Sequence, residues 1–449
     1  MIKKESHSAF HHALKVVDEL CIGCTHCMTA CPTQAIRVRN GKAIISEERC
    51  VDCGNCCKAC PVSAILIEQD DFQEIFNYPV RIALVPSVFI GQFPSHIKTG
   101  DVFGGMKALG FTHIFEIESV VELLQQGYDE LIGSREDKKP AISNFCPAIV
   151  RLIQVRFPSL VDHLIGVKPP SDVAAIYYRK QMEEQGRDPS EIGIFYITPC
   201  AAKIASIKSP VGEDISPVNG VINMEYIYNK LLHIIVNNEV PEEACPDSKR
   251  LDSKGILWSL TRGESEHQQG RCLAVDGIRN VTEFLERLEE TEESNIDFLE
   301  LRACDESCAG GVLISGNRFL TVERLNRRAG EAPGEPASLP EFFDKSLYTL
   351  DKIQARSMLA LDQDRSVAME KMNKLEELLK VLPGIDCAAC GSPGCRALAE
   401  DIVQERARPG WCVFLQELYI RDGRLSLEEA DEINGSIWGR DRDYRSQSK

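Results

Sequence analysis

Residues 21–32 read CIGCTHCMTACP and residues 50–61 read CVDCGNCCKACP. Each is a Cys-x2-Cys-x2-Cys-x3-Cys-Pro run, so the same spacing occurs twice within forty residues. A four-iron cluster needs thiolates at four corners of a cube, and one tight loop supplies only three of them. The fourth must come from the other run. This pairs Cys21, Cys24 and Cys27 with Cys60, and Cys50, Cys53 and Cys56 with Cys31. Zinc sites usually join two Cys-x2-Cys hairpins across a longer gap and do not close each run with Cys-Pro, so iron–sulfur chemistry is the better reading. Cys57 breaks the repeat's register and reads as a spare thiol.

Working outward, the chain has 449 residues, enough for about three domains on a prior of roughly 150 residues each. Its formal charge of −17 repels phosphate backbones and anionic headgroups, which argues against nucleic acid as a partner. No stretch is long and apolar enough for a membrane span, and the N-terminus has no apolar leader core, so the expected location is the cytoplasm. Nineteen cysteines in such a chain point to metal and not to disulfides. Beyond residue 78 the pattern changes to short apolar runs followed by helical spacing: Val80 to Val85, Phe111 to Ile117, Ile192 to Thr198, Cys272 to Val275 and Phe298 to Leu301. That alternation predicts a mixed α/β core with parallel strands. The Pro/Gly-rich stretch within 329–345 reads as a linker. Apolar positions from Ser346 to Leu382 predict a helix, and Cys387, Cys390, Cys395 and Cys412 after it form a further four-cysteine site with three glycines among them. The expected division is therefore 1–78 for the double-cluster domain, 79–328 for the core, 329–345 for the linker, 346–419 for a small helical 4Fe-4S domain and 420–449 for a weakly ordered polar tail.

The remaining cysteines fall where strands hand over to helices. Cys146 precedes Pro147 and a helical run, Cys200 ends an apolar strand, and Cys304 and Cys308 follow another. Parallel sheets place ligands at such ends. The stretches SNFCPAIVR (143–151), TPCAAK (198–203) and FLELRACDESCAGG (298–311) resemble, in order and spacing, the three signatures of FeFe-hydrogenases, patterned TSCCPxW, MPCxxK and ExMxCxxGCxxG. As in that family, a ferredoxin-like double-cluster region precedes them. The resemblance implies a two-lobed α/β hydrogenase core in which Cys146, Cys200, Cys304 and Cys308 hold a 4Fe-4S cluster. It also implies that Cys308 bridges to a two-iron subsite with CO and cyanide ligands, together the H-cluster, with three further 4Fe-4S clusters in the chain. It assigns Lys203 to one cyanide and Ser87, leaving the first core strand in Val85-Pro86-Ser87, to the other. The residues 387–412 resemble the small 4Fe-4S domain of membrane electron-transfer and corrinoid proteins.

Four positions depart from the family pattern. Its proton-relay cysteine is replaced by Phe145, and the serine that continues the relay falls at Ile165, both apolar. Glu122 is a candidate for a family glutamate, while Thr198 and Arg302 stand where methionines are usual. The chain is in this respect similar to the divergent, sensory branch. The expected activity is interconversion of H2 with protons and electrons, slow or hydrogen-sensing, with electrons passing through the clusters to a ferredoxin or another redox or signalling protein. The alternative is a hydrogenase-like assembly or electron-transfer protein without the two-iron subsite. Cys57, Cys245 and Cys272 are expected to be dispensable.

Overall fold

A computed structural model describes residues 10–133, 139–237, 239–240, 251–290, 295–332, 348–356, 361–362 and 364–439. Two compact units divide the chain, and they do not follow chain order: one joins residues 14–67 to 356–449, the other joins the N-terminal 1–13 to 68–355. The second unit therefore starts before residue 78, because Phe72 and Ile75 of a short 3-10 helix are already part of its core.

In the first unit, β1 (Leu14–Val16) pairs antiparallel with β4 (Ile65–Ile67), and β2 (Ile36–Arg39) with β3 (Lys42–Ile45). Between these ribbons each cysteine run ends in one short helix, His26–Ala30 and Asn55–Ala59, and both helices begin after a left-handed residue, Thr25 or Gly54. That left-handed step turns the loop tightly enough for the first three sulfurs of a run to face one point. The C-terminal part of the unit has its own core of Leu375, Leu382, Leu398, Ile402, Val403 and Leu415.

The helix expected from Ser346 starts instead at Arg365 and runs to Val381, with the Asp364 side chain accepting the N–H groups of Ser366 and Val367. This cap sets the start. The apolar residues before it serve the other unit: Thr349 bridges Val167, the Leu350 N–H donates to Gly166 O at 2.8 Å, and Ile353 is buried. Hydrophobic spacing alone merged two segments with different partners. The tail also differs from expectation, because Leu427–Trp438 is a helix with Ala430 and Ile437 buried. Its start is a Ser426/Glu429 capping box, in which each side chain accepts the other's backbone N–H. The helix Arg318–Gly330 runs into the expected linker; residues 333–347 lie outside the described residues, as does Cys245.

The second unit is the mixed α/β core. Its four-stranded parallel sheet has the order β6 (His113–Glu116), β5 (Val80–Val85), β8 (Ile192–Thr198), β9 (Gly220–Asn223). A three-stranded parallel sheet has the order β10 (Cys272–Asp276), β11 (Phe298–Arg302), β7 (Ala141–Ile142). The near-continuous burial of β5, β8 and β11 follows from coverage of both faces, as parallel sheets require. Among the described residues no helix is long and apolar enough to cross a membrane.

Candidate functional site

The ends of the parallel strands of both sheets carry the middle cysteines. Cys200 leaves β8 and caps the helix Ala201–Lys208; Cys146 follows β7 and caps the helix Pro147–Arg156, with proline at its first position. Cys304 follows β11, and two left-handed residues, Glu306 and Ser307, then bend the chain into the 3-10 turn Ser307–Gly310, which carries Cys308. The Cys308 N–H donates to Ser259 O at 3.2 Å and the Ser307 N–H to Cys304 O at 3.0 Å. Cys146, Cys200 and Cys308 lie close enough for each thiolate to act on the others. Burial is the dominant influence: it pushes the Cys146 thiol up and the Cys200 thiol up to about 12. Buried thiols with raised pKa values are a poor home for bare thiolates, and a cationic iron centre reverses that balance.

Lys203 lies 3.8 Å from Cys308 Sγ, and its ammonium donates to the Tyr196 hydroxyl at 3.1 Å. Burial opposes its charge, yet Cys308, Tyr196 and Cys200 outweigh that and hold its pKa above the ordinary lysine value. Phe145 is sandwiched between cations, its ring centroid 4.6 Å from Lys203 Nζ and 3.7 Å from the Arg302 guanidinium carbon. Arg302 is buried, pairing with Glu264 at 2.7 Å and Glu300 at 3.3 Å, so its guanidinium stays charged. Glu264 in turn accepts from Tyr128 OH at 2.6 Å and Ser143 Oγ at 2.8 Å. Three buried donors have no hydrogen-bond partner among the described residues: Arg302 Nη1 and Ser307 Oγ beside the cysteines, and Trp258 Nε1 of a side chain that shares a cavity with Lys203 and Phe145. Orphaned donors beside clustered thiols fit an anionic metal cofactor with acceptor ligands.

Ser87 directly follows β5 and Pro86. Its N–H donates to Glu118 Oε2 at 2.9 Å, and its hydroxyl lies 2.9 Å from Ile256 O, 3.2 Å from Glu118 Oε1 and 3.3 Å from Ser259 Oγ. Glu122 lies one turn further on and is exposed, while Glu118 is buried. Burial pushes the Glu118 carboxyl up to about 7. Glu118, Phe145, Lys203, Tyr196 and Trp258 line one cavity. Ile165 does not line it; it is buried, with its N–H on Ile142 O.

In the other unit Cys27 feels Cys21, Cys24 and Cys60, while Cys50 and Cys53 feel Cys31, and Cys56 feels Cys53 and Cys31. Cys60 thus lies near the first run and Cys31 near the second. Burial raises Cys27 to about 11 and Cys53 to about 12. Backbone N–H groups of Ala35, Ala64 and Ala43 point at the sulfurs of Cys31, Cys60 and Cys21 at 3.2, 3.1 and 3.3 Å. The Cys57 thiol donates to Ile65 O, and Cys272 lies on β10 with its thiol near Gln269 O and Gly270 O. Cys390 feels Cys387 and Cys412, and Cys395 packs on the same core.

Residues 80–250 match the family described as iron only hydrogenase large subunit, C-terminal domain. This stretch of the chain is similar to the iron-only hydrogenases. Residues 13–73 match a 4Fe-4S dicluster domain and residues 382–414 an Fe-S cluster domain. The chain is 25% identical over 204 residues to the NADP-reducing hydrogenase subunit HndD of Solidesulfovibrio fructosivorans, covering 42% of this chain and 31% of that protein. It is 25% identical over 236 residues to iron hydrogenase 1 of Clostridium pasteurianum, covering 49% of this chain and 38% of that one. The chain thus spans about a third of the length of these hydrogenases. The solved FeFe-hydrogenase HydA1 of Chlamydomonas reinhardtii aligns with a TM-score of 0.45 at 15% identity, over 62% of this chain and 96% of that one. In sequence, stretches similar to iron–sulfur domains flank the hydrogenase-like one, and the C-terminal of them belongs to a different compact unit from Cys146, Cys200, Cys304 and Cys308. Replacing Cys387, Cys390, Cys395 or Cys412 by Ala is accordingly expected to remove one cluster signal from the electron paramagnetic resonance spectrum. Any CO and cyanide bands of the core should remain, and their loss would tie the two units together chemically.

Proposed function

We propose that this protein interconverts hydrogen with protons and electrons, slowly and in a hydrogen-sensing capacity, and passes the electrons through its 4Fe-4S clusters to a ferredoxin or another redox or signalling protein. The observation that carries this reading is the convergence of Cys146, Cys200 and Cys308, with Cys304 on the same loop, on an ammonium 3.8 Å from Cys308 Sγ and three unpartnered buried donors. The H-cluster, when bound there, supplies the metal chemistry that splits and forms hydrogen.

The chain's own residues would do the rest. Cys146, Cys200, Cys304 and Cys308 would hold the irons, and Lys203 would present its point charge to an anionic ligand beside Cys308. Arg302 Nη1 and Trp258 Nε1, both on buried side chains, offer further donors. Phe145 carries no exchangeable proton, so it holds Lys203 and Arg302 apart and transfers nothing. Glu118, poised near neutrality, is the carboxyl of the cavity suited to take up and release protons. Ser87 fixes that carboxyl through two contacts.

Infrared spectroscopy of anaerobically matured protein tests the proposal, because CO and cyanide stretches appear only with the two-iron subsite. Full loading implies about eighteen irons, three four-iron clusters plus six in the core cofactor. Iron and sulfide analysis giving a stable value near eight, without the infrared bands, would leave only the double-cluster region and refute the reading.

A further inference from the structure

The β2–β3 hairpin that borders the first cysteine group also reaches the C-terminal cysteine loop, within one compact unit. On one side, the Ala43 N–H points at Cys21 Sγ at 3.3 Å, and Lys42 Nζ donates to Asp18 O and Cys21 O at 2.6 and 2.8 Å. On the other, the Val38 N–H donates to Gly391 O at 2.8 Å, next to Cys390. Val38 and Ala43 are cross-strand partners in the hairpin. The route from Cys21 to the Cys390 loop is thus two hydrogen bonds and one strand spacing of about 4.8 Å.

The approach is close by construction. Gly41 and Gly391 both have positive φ, +70° and +69°; a Cβ at Gly41 would sit 2.6 Å from Trp438 O, and one at Gly391 would run into Val38 O. The Asn40 and Gly41 N–H groups donate to Ser436 O and Ile437 O at 2.8 and 2.9 Å, and Trp438 Nε1 donates to Ala389 O at 3.1 Å. The helix Leu427–Trp438 therefore ties the hairpin turn to the loop that carries Cys387 and Cys390.

Arg39 bolts this junction. Its Nη1 donates to Val38 O and Gly391 O, both at 2.8 Å, and lies 3.4 Å from Cys390 O, while its Nη2 donates to Ser392 Oγ at 3.2 Å and Asp401 Oδ2 at 3.0 Å. Its guanidinium lies 4.5 Å above the ring of Trp411, the neighbour of Cys412. Among the other charges here, Arg37 pairs with Asp401 at 2.7 Å and Arg49 with Glu400 at 2.8 Å, and Asp386 accepts the Cys395 N–H at 2.6 Å.

We infer that the β2–β3 hairpin is a direct electron bridge between the cluster of Cys21, Cys24, Cys27 and Cys60 and the cluster of Cys387, Cys390, Cys395 and Cys412, with Arg39 setting the potential of the latter. One electron leaves the first cluster, oxidising it, and reduces the second; no other reactant is consumed. The C-terminal cluster is then the terminus of the chain that runs through the double-cluster domain. A cation at the cluster loop favours the more negative, reduced cluster, and second-shell charges and hydrogen bonds tune such potentials. Arg39 is a positioning residue, since it reaches the cluster through the loop carbonyls.

The proposal does not depend on hydrogen chemistry, so the test uses the full chain with its iron–sulfur clusters reconstituted and dithionite as reductant. Redox-poised electron paramagnetic resonance of the unsubstituted chain is expected to show magnetic coupling of the C-terminal cluster to a second cluster. Cys395→Ala should remove that coupling and leave the interaction between the two N-terminal clusters. Arg39→Gln should shift the C-terminal midpoint to lower potential with the N-terminal midpoints unmoved, and Arg39→Lys should restore part of the shift. Should Arg39→Gln fail to fold, the coupling in the unsubstituted chain still decides. A C-terminal cluster that relaxes as an isolated centre would overturn the bridge, and an unmoved midpoint in a folded Arg39→Gln variant would overturn the assignment of Arg39.

Discussion

Replacing Glu118 by Gln is expected to cut hydrogen turnover by roughly 10²- to 10⁴-fold, the range over which a positioned acid–base group acts. Glutamine keeps the shape and can still accept from the Ser87 N–H, but it neither gains nor loses a proton near neutrality. Glu118 is suited to the role because burial raises its carboxyl to about 7 and because it shares a cavity with Lys203, Tyr196 and Phe145. In the parent, turnover should therefore change most steeply around pH 7, and the variant's profile should be flat there. Stability moves in the opposite sense to that of an ordinary surface carboxylate. A folded-state value above the unfolded 4.5 means the native state binds the extra proton, so this contribution is complete below about pH 4.5 and is lost as pH rises through 7. Glu118→Gln removes that dependence, and the variant should gain stability relative to the parent as pH rises from 5 to 7. Unchanged turnover in a variant that keeps its infrared bands would exclude Glu118 from the proton route.

The cysteine pattern was legible because metal sites are written in local spacing, and the nearness of Cys60 to the first run and of Cys31 to the second is the arrangement that one cube and two loops call for. The long core strands were legible for a similar reason: β5, β8 and β11 are covered on both faces and read as continuous apolar runs. Gly220–Asn223 and Ala141–Ile142 were not, being too short for any period to show. Glu118 was hidden by its company. In the segment EIESVVE three acids compete, and only the fold decides that Glu118 faces Ser87 while Glu122 faces solvent. The association of residues 14–67 with 356–449 has no local signature, since it rests on Arg37 and Arg39 at Asp401, on Arg49 at Glu400 and on backbone contacts at Val38, Asn40, Gly41 and Gly391, each between residues far apart in the chain. The helix at Leu427–Trp438 did carry a signal, its Ser-x-x-Glu cap, which the charged composition of the tail outweighed.

Phe145→Cys is expected to raise turnover, by less than the full 10²- to 10⁴-fold of a good acid–base group. The thiol would stand where the phenyl ring now separates Lys203 from Arg302, in the cavity that Glu118 also lines, so one exchangeable proton would be added to a route that has none at this point. The gain is limited by what the ring does for the fold. A buried aromatic cut down to a small side chain costs about 2–4 kcal/mol through the cavity left behind, and the two cation–π contacts contribute a further ~0.5–2 kcal/mol. The unscreened cations would also move closer together. The variant should accordingly unfold at lower denaturant concentration while turning over faster, two shifts of opposite sign that one substitution seldom gives. Because Ile165 lies outside the cavity, Ile165→Ser should add nothing to Phe145→Cys, whereas Glu118→Gln should abolish the gain. This pair of double variants separates a relay through Glu118 from one through position 165. If Phe145→Cys keeps the complete cofactor by infrared spectroscopy and still turns over no faster than the parent, proton delivery at this position does not limit the reaction. The cation stack of Lys203, Phe145 and Arg302 would then serve to hold charge at the cofactor rather than to block a path.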